Sequence, residues 1–159
     1  SLARSLGEAY RCDVVAGERA AVPEKTYHPR RKQHHSTRIL KALERVERMT
    51  NELILGVIDE DLYVPGLNFV FGEADVLGRV AVIGLPRLRQ EYYGLETDRG
   101  LFLQRSSKEA IHELGHTCGL GHCPDLKCIM HFSNSLQDTD VKDEAFCVSC
   151  RNKLEAAGA

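Results

Sequence analysis

One stretch of eleven residues, His112-Glu113-Leu114-Gly115-His116-Thr117-Cys118-Gly119-Leu120-Gly121-His122, gathers groups able to do chemistry together. An α-helix advances ~100° per residue, so His112 and His116 sit one above the other on one face. Imidazoles so placed can share one zinc ion, each bonding at ~2.0–2.1 Å. Glu113 is turned off that line just enough to hang over the metal's open side, where it can take a proton from a zinc-bound water. Gly119 suits the left-handed residue that ends a helix, and the reversal it permits lets His122 supply a third ligand. Three protein ligands leave the fourth position to water, which marks a catalytic zinc rather than a closed one. Solvated helices carry H-E-x-x-H by chance. A glycine and a third histidine at fixed offsets, followed by Met130, leave chance a poor account.

Immediately downstream, Cys123 and Cys128 form one close pair, and Cys147 and Cys150 form a Cys-x-x-Cys pair. Two such pairs have the spacing of a structural zinc site with four thiolate ligands. The other two of the six cysteines, Cys12 and Cys118, read as small buried hydrophobes. A disulfide scaffold is the competing account. The chain opens with no secretion signal, however, and a reducing cytoplasm keeps thiols free for metal. The ligand inventory predicts two Zn2+ ions per chain, one catalytic and one structural.

The extended histidine motif, Cys123, Cys128, Met130, the run Phe132-Ser133-Asn134-Ser135 and Cys147-Val148-Ser149-Cys150 together resemble the archaemetzincin family, in the metzincin clan of zinc peptidases. The resemblance covers the last third of the chain densely. Upstream, Tyr27, Pro29, Arg31, Gln33 and Ser36 are similar to an archaemetzincin segment, with His34 where that pattern has an aromatic. The resemblance implies a Met-turn in which Met130 floors the histidines. It also implies an antiparallel edge strand beside the cleft that holds extended substrate.

With 159 residues, 43% hydrophobic and 28% charged, the chain fits a single catalytic domain over residues 1–159. No apolar run approaches the ~20 residues of a membrane span. A net charge of −2 advertises neither nucleic acid nor an anionic membrane, and few aromatics accompany the cysteines. A monomer acting on peptide or protein is the expectation. Leu2, Leu6 and Tyr10 recur at helical spacing from the start, so either the sheet lacks the strand that precedes this helix in metzincins or the natural chain starts earlier.

Positioning falls to an α/β (α+β) fold: a mixed twisted sheet of about four strands with one antiparallel edge, helices packed on it and the zinc cleft below. Residues 11–16 fit a short strand closed by Gly17. The polar connector up to residue 35 reads as a solvated loop ending in a Ser36 cap, in preference to a basic patch or a histidine metal site. Over residues 37–54, Ile39, Leu40, Leu43, Val46, Met49, Leu53 and Ile54 form the stripe of an amphipathic helix broken by Gly56. Val57-Ile58 reads as a strand and Pro65-Gly66 as a turn. Residues 68–71 and 79–85 read as an antiparallel hairpin whose first strand is the edge. Tyr92, Tyr93 and Gly94 are either cleft-wall residues or surface aromatics packing their loop. The active helix spans 101–118, and Phe146, Cys150 and Leu154 set a C-terminal helix over 142–156 that the second zinc staples to the end of the active helix. His131 reads as a supporting or surface residue, because three histidines already complete the ligand set.

The function these groups point to is a zinc metallopeptidase with Glu113 as general base. A zinc-stabilised peptide-binding protein with little or no turnover competes, since nothing in the sequence marks a substrate pocket or an oxyanion donor.

Overall fold

The computed structural model describes residues 1–158. In chain order the elements are α1 (Leu2–Tyr10), β1 (Tyr27–His28), β2 (Gln33–His35), α2 (Ser36–Leu43), β3 (Ile54–Ile58), β4 (Leu62–Tyr63), β5 (Gly72–Asp75), β6 (Val80–Gly84), α3 (Arg99–Thr117), α4 (Leu136–Val141) and α5 (Val148–Ala156).

The apolar run of β6 explains the layering. Val80, Ala81, Val82 and Ile83 are all fully buried, so the strand needs cover on both faces. Val80 and Val82 pack with Ile39 and Leu40 of α2, while Ala81 and Ile83 join Ile111 and Leu114 of α3 in the larger core cluster. Sideways, β6 pairs in parallel with β3 and antiparallel with β5 in the order β3-β6-β5. The mixed α/β class with an antiparallel edge strand is therefore the one expected. On the far side of α3, α1 buries Leu6, Ala9 and Tyr10, and the Tyr10 hydroxyl donates to Ile111 O at 2.6 Å.

Several boundaries differ from the sequence reading. Instead of one sheet of about four strands, there are two sheets of three strands; the second has the order β1-β2-β4. Two of its strands, β1 and β2, lie in the connector read as solvated loop, where Gln33 and His34 are buried, and β4 follows β3. These short pairings are held by side chains: Gln33 Nε2 donates to Asp61 Oδ2 at 3.0 Å, and Thr26 Oγ1 and His34 Nδ1 share a hydrogen bond of 2.7 Å. Ser36 does not cap α2. It is fully buried, and its hydroxyl donates to Tyr63 O and to the Glu73 carboxylate.

Residues 11–16 form no strand, and Val15 is 88% exposed. Cys12 is exposed rather than buried, and Cys118 is half-buried at the margin of the core. Helix α2 stops at Leu43, leaving Val46 and Met49 exposed, and Gly56 lies inside β3 instead of breaking a helix. The edge strand is Gly72–Asp75, which begins directly after the apolar run 68–71, and of that run only Val70 makes an isolated bridge, to Leu62. Helix α5 starts at Val148, so residues 142–147 are not helical; a separate helix, α4, ends at Val141 and is capped by the Ser135 hydroxyl accepting from Asp138 N. No helix among the described residues is long and apolar enough to cross a membrane.

Candidate functional site

Helix α3 carries the site. Asp98 begins it as N-cap, its carboxylate accepting from Leu101 N at 2.9 Å. At the other end Gly119 takes φ +84°, Gly119 N donates to His116 O at 2.9 Å and Leu120 N to Gly115 O at 3.0 Å. This paired closure is a Schellman ending. It turns the chain back so that His122 returns over the same face as His112 and His116.

The three ligand-capable nitrogens lie within 4.8 Å of one another. Two are fixed by the backbone. His112 Nδ1–H donates to Ile129 O at 2.8 Å and His116 Nδ1–H to Leu120 O at 2.7 Å. Burial pushes both imidazoles below their ordinary pKa, so the neutral ring is favoured and each Nε2 keeps a lone pair. Those two acceptors face each other at 3.1 Å with no proton to share. Two nitrogens ~2.05 Å from one tetrahedral ion stand about 3.3 Å apart, so the pair fits a shared zinc. His122 is exposed and reaches the group from the loop, with Phe132 against its ring at a centroid distance of 5.0 Å.

Glu113 projects from the same helix into a cavity of about 260 Å3 whose walls include all three histidines, Phe69, Phe71 and Phe132. Its carboxyl is pushed well above the usual range by burial first, then by the Glu109 carboxylate, against the opposing charge of Lys142. Gly72 lets the edge strand come this close: a Cβ there would lie 2.6 Å from Glu113 Cγ and 2.7 Å from Val82 O. Met130 is fully buried beneath Gly115, where any side chain would run into its sulfur. Its contact is with the helix at Gly115.

The second group is equally compact. Cys123, Cys128, Cys147 and Cys150 bring their sulfurs within 4.8 Å of one another, with no disulfide. Cys123 Sγ and Cys147 Sγ are 3.8 Å apart, against about 3.8 Å for two sulfurs ~2.3 Å from one tetrahedral zinc. Cys147 N donates to Cys128 Sγ at 3.3 Å. The donor chemistry fits zinc at both groups. His131 donates through Nδ1 to Cys123 O at 2.8 Å, supporting the loop between the two groups rather than joining either.

Every residue singled out for metal or base chemistry is thus brought into one of two clusters. Tyr92 and Tyr93 are not: they lie away from the cavity, their hydroxyls turned to Asp61 and Arg87 O. A larger open hollow of about 410 Å3 beside Arg48 and Arg79 contains no histidine or cysteine. The sequence reading missed three contributors. Gly72 meets the base, and Glu73 lines the cavity from the edge strand. Glu109 also lines the cavity, paired with a fully buried Lys142 at 3.4 Å. Glu109 was within reach, since it lies one helical turn before Glu113. Gly72 and Lys142 arrive from remote segments and leave no local signal.

The profile of Peptidase family M54 matches residues 18–156. The archaemetzincin of Methanocaldococcus jannaschii is 43% identical over 158 residues, covering 99% of this chain and 85% of the relative. Among solved structures, the archaemetzincin of Methanopyrus kandleri superposes with TM-score 0.88 at 41% identity, covering 98% of this chain and 83% of that one. A zinc-dependent peptidase from Methanocorpusculum labreanum gives TM-score 0.88 at 31% identity, covering 96% of this chain and 91% of that one.

Proposed function

This chain belongs to peptidase family M54 and is a zinc metallopeptidase, and from that premise we propose that it hydrolyses peptide bonds with Glu113 as general base, at a zinc ion held by His112, His116 and His122. The observation that carries the ligand assignment is the pair of backbone-locked imidazoles whose Nε2 lone pairs meet at 3.1 Å. Bound there, zinc supplies a Lewis acid that lowers the pKa of a water and polarises a scissile carbonyl. The protein's own groups do the rest. The Glu113 carboxylate takes the proton of the attacking water and returns it to the leaving amine, and burial strengthens its hold on that proton. Phe69, Phe71 and Phe132 give the cavity apolar walls, while the open edge of β5 offers main-chain groups to an extended peptide.

A second zinc, held by Cys123, Cys128, Cys147 and Cys150, ties the start of α5 to the loop after α3 in this reading. The free thiols suit a reducing cytoplasm, and residues 1–159 act as one monomeric catalytic domain. The experiment is a digest of diverse peptides by the zinc-loaded chain, read by mass spectrometry with and without chelator. Chelator-sensitive cleavage is expected. Peptide binding without cleavage at full metal occupancy would identify a binding protein instead.

A further inference from the structure

Strand β5 is the outer strand of its sheet, with β6 on one side and no strand beyond it among the described residues. An extended peptide pairing with that edge has its side chains sorted by the pleat, since alternate residues face opposite sides of a sheet. Gly72 and Ala74 face α3: Gly72 abuts Glu113, and Ala74 packs on the core cluster that holds Ile111. Glu73 faces the opposite side, towards α2, in register with Val82. There its carboxylate accepts from Ser36 Oγ and, at 2.8 and 3.1 Å, from Thr37 Oγ1. Both donors are neutral, and no ion pair among the described residues includes Glu73. The cavity wall holds Glu73, Glu109 and Glu113 and no lysine or arginine. Glu109 is matched by Lys142 and Glu113 is the proposed base, which leaves Glu73 as the uncompensated charge at the edge where the peptide docks.

We propose that Glu73 is a specificity-determining residue: it selects peptides carrying a lysine or arginine at the position directly across from it, on the α2 side of the paired strand. The inference rests on the peptidase reading above. Ser36 and Thr37 hold the carboxylate in place, so an incoming cation meets an acceptor that is already oriented. The pleat confines the preference to every second position of the peptide, because the residues between point towards Glu113 and the histidines. A free α-amino group carries the same charge, and the experiment separates the two sources.

The test uses N-acetylated octapeptides in which each position in turn is lysine, norleucine or glutamate; norleucine keeps an aliphatic stem and removes the charge. At low salt, kcat/KM for lysine should exceed that for norleucine about three- to fivefold at one position or at two positions separated by one, and the ratio should shrink in high salt. Glu73→Gln should bring the lysine-to-norleucine ratio to about one, and Glu73→Lys should turn the preference towards glutamate. Each ratio is internal to one variant, so partial loss of folded protein cancels. A ratio of one at every position in the parent overturns the proposal, as does a ratio that survives Glu73→Gln or a preference seen only for unacetylated termini. If the parent cleaves none of the peptides, the peptidase reading fails. The same ratios taken from dissociation constants by calorimetry then decide the role of Glu73.

Discussion

Gly72 and Lys142 show how single residues set the chemistry of neighbours far away in sequence. A methyl group at position 72 would meet both Glu113 Cγ and Val82 O at under 3 Å. Gly72→Ala should therefore displace the base and strain the edge strand, costing about 1–3 kcal/mol of stability. Turnover should fall more than metal content, and zinc analysis beside kinetics checks this; unchanged kcat would mean that the strand does not press on Glu113. Lys142 is fully buried, and its ammonium lies 3.4 Å from Glu109, which also accepts from Thr139 Oγ1. Lys142→Met should cost about 3–5 kcal/mol, because it leaves a carboxylate buried without its counter-charge. Adding Glu109→Gln should recover much of that loss in urea unfolding. A double variant as unstable as the single would show that Lys142 contributes by packing alone.

Among the elements, α5 is the one whose docking depends most on metal. It is short, its first residue follows Cys147, and its buried contacts are Cys150 and Leu154. A closed site of four thiolates contributes folding free energy on the order of 10 kcal/mol. Cys147→Ser should thus lower the melting temperature and remove helical signal. In a chelator titration of the parent, the exposed His122 site should empty first, with α5 still folded. A Cys147→Ser variant melting like the parent would remove the stapling role.

Helix α3 and both ligand clusters were legible in the sequence because their residues are close neighbours, at spacings that helix geometry or a metal demands. The strands β1, β2 and β4 were not. They are two or three residues long and exist through remote partners such as Asp61 for Gln33. Edge strand β5 was misplaced for a related reason: its residues Gly-Glu-Ala-Asp look like a turn, yet only a glycine fits against Glu113. Helix α2 was drawn too long because Val46 and Met49 kept helical spacing without any surface to bury them.

At the scale of the whole molecule, a sheet edge, one long helix and a cysteine-bound loop converge on a single cavity, and the central claim is that Glu113 moves the proton there. Elemental analysis should return two zinc ions per chain in the parent, and His116→Ala should lose one of them together with activity. The most direct measurement compares the parent with Glu113→Gln on a peptide the parent cleaves, at equal zinc content and equal melting temperature. Glutamine keeps the shape of the side chain but cannot accept the proton. The account predicts that both metals stay and that kcat falls by about 10²–10⁴-fold. Equal turnover by the two proteins would contradict it.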